Sequence, residues 1–377
     1  MTVLIVGALS TLIGLVVLAI VIAWALRSGG EKASGSREAP VDRPGGADAP
    51  IVPPIPAPPS PAHRLAPGVY MFGQLWRFDG RAWHAELGDD CEPVVAIFDA
   101  GPLGTCAVTW DSVYRRTSPG GAWAREHQSP GGRPRLSSGW GHPVHGLFAV
   151  GDRGTLLRSS GDGQWRREAL PEAIRTVVSA VWGDDTRLFV GTADGQIASS
   201  PWGSAGQWEI QPTPARDFIF DGVSTPRGSY AISQSGDVLF RPASATGAWT
   251  SVKKLRGAAK GLLADAAGRV WVSGSEGILR GDGPDTWSAE ARDGTESVDA
   301  LASNGSVTWG GGGRSVLVRR EPSGRWVASA PGRSGTIQSL WVGGGGELLV
   351  GTDFMLEVAE CGKGKDVEVL ASASTAT

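Results

Sequence analysis

The chain has little of what most catalytic and metal sites are made from. Its 377 residues include three cysteines, five histidines, three tyrosines and three methionines. Cys91, Cys106 and Cys361 are too few and too scattered for a disulfide framework, and no pair has zinc-ligand spacing. Charge is sparse as well: 19% of residues are charged and the formal net charge is -3. A general nucleic-acid binder needs a clustered basic face, so nucleic acid is not an expected partner. Tyr70, Tyr114 and Tyr230 each fall within an apparent strand, where packing is the ordinary role of such a ring.

What the chain does have is glycine (56), proline (25) and tryptophan (16, against nine phenylalanines). Many tight turns and a few large anchors fit short strands better than helices. Seven of the tryptophans, Trp83, Trp123, Trp165, Trp208, Trp249, Trp287 and Trp326, recur at intervals of 38 to 43 residues. Each ends a similar phrase: two short apolar runs separated by a turn, then a Gly/Ser/Pro-rich break. A period near 40 with four short strands per unit is the signature of a β-propeller blade. Length alone would suggest two or three domains, but a repeat fold runs long as one, so the expected class is all-β.

Residues 3–26, VLIVGALSTLIGLVVLAIVIAWAL, carry no charge. As a helix they extend about 36 Å, enough to cross a hydrocarbon core of about 30 Å, and the expectation is one transmembrane helix ahead of the propeller. A cleaved signal peptide would need a basic leader and a shorter apolar core. Arg27, Lys32 and Arg37 follow the helix and no Lys or Arg precedes it, which places the large domain on the cytoplasmic side of an inner membrane. Residues 27–67 begin rich in Gly and Ser and end in PIVPPIPAPPSPAHRLAP; they read as a flexible linker whose prolines favour an extended spacer. The propeller then occupies 68–372, and 373–377 is a disordered tail.

Within the repeat, VVSAVWG (177–183), RLFVGT (187–192), QIASS (196–200) and QWEIQ (207–211) read as the four strands of one blade, innermost first. The turn Ala193-Asp194-Gly195 joins the second strand to the third. Equivalent hairpins recur from VYMF/QLWRF through LLVGT/MLEVA, giving eight, and eight blades are favoured with seven as the alternative. The first unit lacks an inner strand and the last lacks a closing Trp. A ring must hide its edges, so one terminus is expected to lend a strand to the other's blade, and KDVEVLAS (365–372) is the candidate. Each repeating Trp is expected to pack beneath the next blade.

The blade scheme also sorts the loops. Connections from an outer strand to the next inner strand share a rim with the turns between second and third strands. On that rim fall Arg133, Arg135, Arg175, Arg216, Lys253, Lys254, Arg256, Arg292 and Arg333, with Asp111, Asp152, Asp194, Asp237 and Glu276 in the turns. Arg135, Arg175, Arg216, Arg256 and Arg333 make a candidate basic loop face, since arginine forks suit carboxylate and phosphate. At the loop after the inner strand, on the opposite rim, Asp99, Asp184, Asp185, Asp221 and Asp265 make a candidate acidic channel mouth. The plainer account of those aspartates is turn initiation, and of the rim arginines pairing between neighbouring blades. His142 and His145, in His-Pro-Val-His, offer two metal ligands with no third nearby, so no metal is expected. The scheme puts Cys91 and Cys361 on opposite rims, too far apart to bridge, so all three thiols are expected to be free.

WGDDTRLFVGTADGQI from Trp182 and WGHPVHGLFAVGDRGTLL from Trp140 resemble the repeats of bacterial secreted or membrane-tethered propellers with photosystem-assembly-factor-like and Asp-box-like repeats. The resemblance covers roughly residues 68–360 and implies fold far more than task, because propellers serve as scaffolds, enzymes and receptors. The nearest match to an Asp box is Ser160, Asp162, Gly163 and Trp165, with Gly and Trp too early. The docking phrase of quinone-dependent propeller dehydrogenases is missing, and no cofactor is expected. The chain thus reads as a monomeric, membrane-anchored interaction platform or receptor, not an enzyme. The competing classes are a glycan hydrolase or lyase, marked by carboxylates converging inside the channel, and an envelope-assembly factor.

Overall fold

The computed structural model describes residues 52, 53, 55 and 68–358, apart from 89–90, 205, 245–247, 266, 292–294, 296–297 and 329–334. Residues 3–26, the tail 365–372, Cys361, Arg292 and Arg333 lie outside them. Among the described residues no helix is long and apolar enough to cross a membrane.

Among the described residues, twenty-eight strands form seven four-stranded antiparallel sheets. Six blades are sequential: β3–β6 (94–128), β7–β10 (136–167), β11–β14 (178–211), β15–β18 (219–254), β19–β22 (259–291) and β23–β26 (298–328). The seventh is shared between the ends of the described chain, in the order β27 (Thr336–Val342), β28 (Leu348–Val358), β1 (Gly68–Phe78), β2 (Trp83–Ala85), from the channel outward. The innermost strands follow one another around the channel, and β27 packs against β3 to close the ring. The blade read as 177–211 is found with its strands and turn in place.

Eight blades are therefore corrected to seven. VYMF/QLWRF is not a hairpin but the single strand β1, and LLVGT/MLEVA is the single strand β28. The two pair with each other over eleven positions, from Gly68↔Val358 to Phe78↔Leu348. Gly73, read as a turn, is a point of close approach: a Cβ there would lie 2.3 Å from the Glu92 carbonyl oxygen. Two strands from each end, rather than a borrowed tail, hide the edges.

Every inner strand carries a β-bulge near its start, after the first residue in six of them and after the second in β27. A bulge re-aims a side chain and sharpens local twist. The bulged positions are Val95, Ser137, Ser179, Phe220, Lys260, Asp299 and Gln338. Ser137 and Ser179 donate to the carbonyls that open the next inner strand, Val178 at 2.6 Å and Ile219 at 2.7 Å. Farther along, the rings of Phe98, Trp140 and Trp182 lie where the next inner strand has Gly139, Gly183 and Gly222, so ring and bare backbone interlock between blades.

The spaced tryptophans stand within a residue of the starts of the outer strands, and five of the seven reach back to the preceding blade. Indole N–H groups of Trp123, Trp165 and Trp326 donate to Glu86, Glu126 and Glu290 at 2.9, 3.3 and 3.3 Å. Those of Trp208 and Trp249 donate to the Ala169 carbonyl and the Gln211 side chain. Each of the three glutamates also accepts an arginine of its own blade's third strand, Arg77, Arg115 or Arg280. Trp287 turns to its own blade's Pro284 carbonyl. Trp83 donates to the Pro53 carbonyl at 2.8 Å, and Val52 and Ile55 are buried among Trp76, Phe78 and Trp309. That short stretch of the proline-rich segment packs on the propeller, which corrects its reading as free spacer throughout.

The closing seam is bolted by charge. Arg116, on β5, is 2% exposed and grips Glu347 with both terminal nitrogens, at 2.9 and 2.7 Å. Glu86 stands 4.0 Å away, and the guanidinium lies over the rings of Trp123 (5.0 Å) and Trp341 (5.8 Å). Arg77 ties Glu86 at 2.6 Å and lies 3.8 Å from Glu347. Cys106 is a buried free thiol, and the buried Cys91 donates its Sγ–H to the Gly73 carbonyl at 3.1 Å.

Candidate functional site

The topology sorts the loops as the blade scheme requires. Arg135, Arg175, Arg216 and Arg256 sit in four successive connections between an outer strand and the next inner strand, all exposed on what we call the upper rim. Arg135 lies 4.5 Å over the ring of Trp110, in the neighbouring second-to-third turn. Arg175 pairs with Glu172 of its own loop. Arg216 donates weakly to the carbonyls of Thr213 and Ala215. Arg256 reaches Glu276 across a blade boundary at 3.8 Å. Pairs this exposed contribute little to stability, so the rim arginines are not explained by folding.

The opposite rim does not form an acidic mouth in the way the spacing implied. Asp99 accepts the Gly101 N–H and the Thr105 hydroxyl; Asp184 accepts the N–H groups of Thr186 and Arg187; Asp265 accepts those of Ala267 and Arg269. Each starts its own turn, as short polar side chains do. His142 behaves likewise: its Nδ1 faces the N–H groups of Val144 and His145, and its Nε2 lies 3.0 Å from Asp185. His145 stacks on Trp202, centroids 4.1 Å apart. Asp162 holds its turn through the Gln164 N–H at 2.9 Å.

Asp221 is a correction. It is no loop residue but lies within the inner strand β15 (Ile219–Thr225), in the channel wall. Burial pushes its carboxyl up to about 7, against hydrogen bonds from the backbone of Gly222 and Leu262. Two further carboxylates were not singled out from the sequence, Asp299 on the inner strand β23 and Asp353 on β28, the second strand of the closing blade. Asp299, at a bulge position, lies 2.6 Å from the Lys260 ammonium, and burial raises its pKa. Asp353 accepts the Thr336 N–H and the Gln338 amide; burial pushes it up to about 6, with the Asp299 charge adding to the shift. Comparing one bulge position across all seven blades is the signal that reveals this group. Lys, Asp and Gln occupy three adjacent blades, where Val, Ser, Ser and Phe occupy the other four.

No protein-family model matches the chain, and no curated protein matches it. Solved structures do. A streptogramin B lyase structure aligns with a TM-score of 0.60 at 10% identity, covering 76% of this chain and 98% of that one. YCF48 bound to D1 peptide aligns at 0.52 and 14% identity, covering 69% and 91%. A chain of a mitotic checkpoint complex aligns at 0.55 and 11%, covering 68% and 89%. The chain is a β-propeller. At such identities the likeness extends to fold alone, and the three neighbours' differing roles underline how little fold says of task.

Proposed function

We propose that the chain is a membrane-anchored interaction platform whose upper rim receives an acidic segment of a partner protein. The observation that carries this reading is the run of exposed arginines, Arg135, Arg175, Arg216 and Arg256, in four successive loops on one rim. A propeller neighbour, YCF48, is bound to a peptide, which supports a peptide-binding reading of this fold. Residues 3–26 supply the anchor by their length and lack of charge, and the basic residues after them favour a cytoplasmic propeller. A reporter fused to the C-terminus and active on one side only tests that orientation; activity on the outer side instead favours an envelope-assembly role.

The partner test is in-cell crosslinking with the wild-type chain and with Arg175→Glu/Arg216→Glu. The expected result is loss of specific crosslinked proteins from the variant at equal chain abundance. An unchanged crosslinked set overturns the reading.

A catalytic propeller is the second reading, favoured by Asp221 and Asp299 on inner strands and Asp353 on the adjoining β28, whose pKa values burial raises. Against it, Asp299 is paired with Lys260 and Asp353 is held by Thr336 and Gln338. Hydrolysis or elimination on a glycan panel, lost in Asp353→Asn and retained in Arg216→Gln, would favour the enzyme.

A further inference from the structure

We infer that the acidic segment docks in one particular cleft of the upper rim, formed by Arg153, Arg167 and Arg175 around Leu170, Pro171 and Ile174. The inference rests on the binding role proposed above and narrows it to a site.

Four observations converge there. The connection from β10 (Arg166–Arg167) to β11 (Val178–Gly183) is the longest fully described one between blades; residues 168–177 fold over the rim and enclose a cleft of about 380 Å³. Its lining is mixed, with the half-buried Leu170 and Pro171 and the buried Ile174 between arginines, as an acidic segment with alternating apolar residues requires. A small inorganic anion would have no use for the apolar part.

Second, the arginines are poised rather than satisfied. Arg167 is tethered by hydrogen bonds from Nη2 to the carbonyls of Arg153 (3.0 Å) and Gly154 (3.5 Å). The nearby acids are committed elsewhere: Glu168 lies 3.9 Å from Arg158, and Glu172 pairs with Arg175. Among the described residues neither Arg153 nor Arg167 has a carboxylate within ion-pair reach. Two unneutralised guanidinium groups offer forked donors to carboxylates.

Third, Arg153 occupies a backbone conformation that its residue type disfavours. It sits at φ 58 with Gly154 at φ 62, in a two-residue turn that Asn-Gly or Gly-Gly fills without strain. The equivalent turn next door is Ala193-Asp194-Gly195, with only Gly195 at positive φ. A strained arginine where glycine would relax the turn points to a use for its guanidinium. Fourth, Glu172 occupies Arg175 from within the same loop, so an incoming carboxylate has a built-in competitor to replace.

The test uses the full chain in detergent and, as probe, a short fluorescein-labelled peptide of alternating glutamate and leucine, read by fluorescence anisotropy at low salt. Arg153→Gly/Arg167→Gln is expected to weaken binding at least about tenfold, a loss of about 1.4 kcal/mol. Arg216→Gln/Arg256→Gln, on the same rim but outside the cleft, is expected to weaken it by a smaller factor, about threefold. Glu172→Gln is expected to tighten it, a gain that misfolding cannot mimic. Arg153→Gly alone is expected to keep or raise the melting temperature, because it relieves the turn. Equal weakening by both double variants overturns the cleft while leaving the rim as the binding face. No binding by the wild-type chain, or no effect of any variant, overturns both. Competition by inorganic phosphate as tight as the peptide itself overturns the cleft as a peptide site and makes it a phosphate site.

Discussion

Glu347→Ala is the perturbation that most directly probes how the ring is held shut. Arg116 is buried and gives both terminal nitrogens to this one carboxylate, and Glu86, the other acid near it, is 4.0 Å off and already tied to Arg77. Removing one partner of a buried pair strands the remaining charge, at a cost of about 3–5 kcal/mol. Glu86 offsets part of that, so the expectation lies at the low end, about 3 kcal/mol. For a domain of this size that lowers the melting temperature by roughly 5 °C. Glu168→Ala, which removes an exposed partner of Arg158, serves as the control and is expected to stay within about 0.5 kcal/mol. Thermal unfolding followed by circular dichroism gives both numbers, and hydrogen exchange should show the loss of protection concentrated in β1 and β28 rather than in β11 to β13. Replacing both partners with methionine should cost less than Glu347→Ala, since no charge is left behind. If Glu347→Ala costs no more than the control, the seam is held by its strand ladder and the ion network is incidental.

Three further outcomes follow from the same geometry. Asp221 is raised in the folded state, so its contribution to stability is full below the ordinary aspartate range and is lost as pH rises through about 7. Asp221→Asn should therefore flatten the fall in melting temperature between pH 5 and pH 8, and parallel curves for both proteins would refute the assignment. A Cβ on Gly222 would lie 2.2 Å from the Trp182 ring; Gly222→Ala should destabilise by about 1–3 kcal/mol or more and shift Trp fluorescence, and a neutral substitution would mean the blades are not interlocked there. Burial pushes the Cys106 thiol far up, so iodoacetamide should leave it unmodified until the protein unfolds; rapid labelling of the native protein would show the β4–β5 region open to solvent.

The repeat was legible because a propeller writes one unit many times: the Trp interval, the Asp-Gly turns and the apolar hairpins located six blades with their strands. The closing blade was not, and the reason is physical. Gly73 looks like a hairpin turn in a string of letters, yet it is bare because the Glu92 backbone presses on it, as Ser339 and Val94 press on Gly351. Close approach and chain reversal both select glycine, and only the partner strand distinguishes them. Arg135, Arg175, Arg216 and Arg256 fall in the connections expected of them because the loop class follows from strand order. Asp221 was misplaced because β15 runs from Ile219 to Thr225, so the aspartate stands near the strand's start and not in the loop after it. The Arg–Glu–Trp contacts between outer strands, and the cleft around Arg153, join residues from different strands or blades whose pairing no local pattern encodes.

The shared seventh blade also has a mechanical meaning. Gly68 and Val358 stand opposite each other at one end of an eleven-position ladder, on the rim that carries the arginines. A force applied between these two points loads the ladder's hydrogen bonds one after another, as in opening a zip, rather than all at once. Tension on the upstream segment would thus be resisted first by the few contacts of Val52, Pro53 and Ile55, and next by the end of the ladder nearest the binding rim. The Arg116–Glu347 grip lies toward the far end, beside Leu348, where it would stop the opening before the ring came apart.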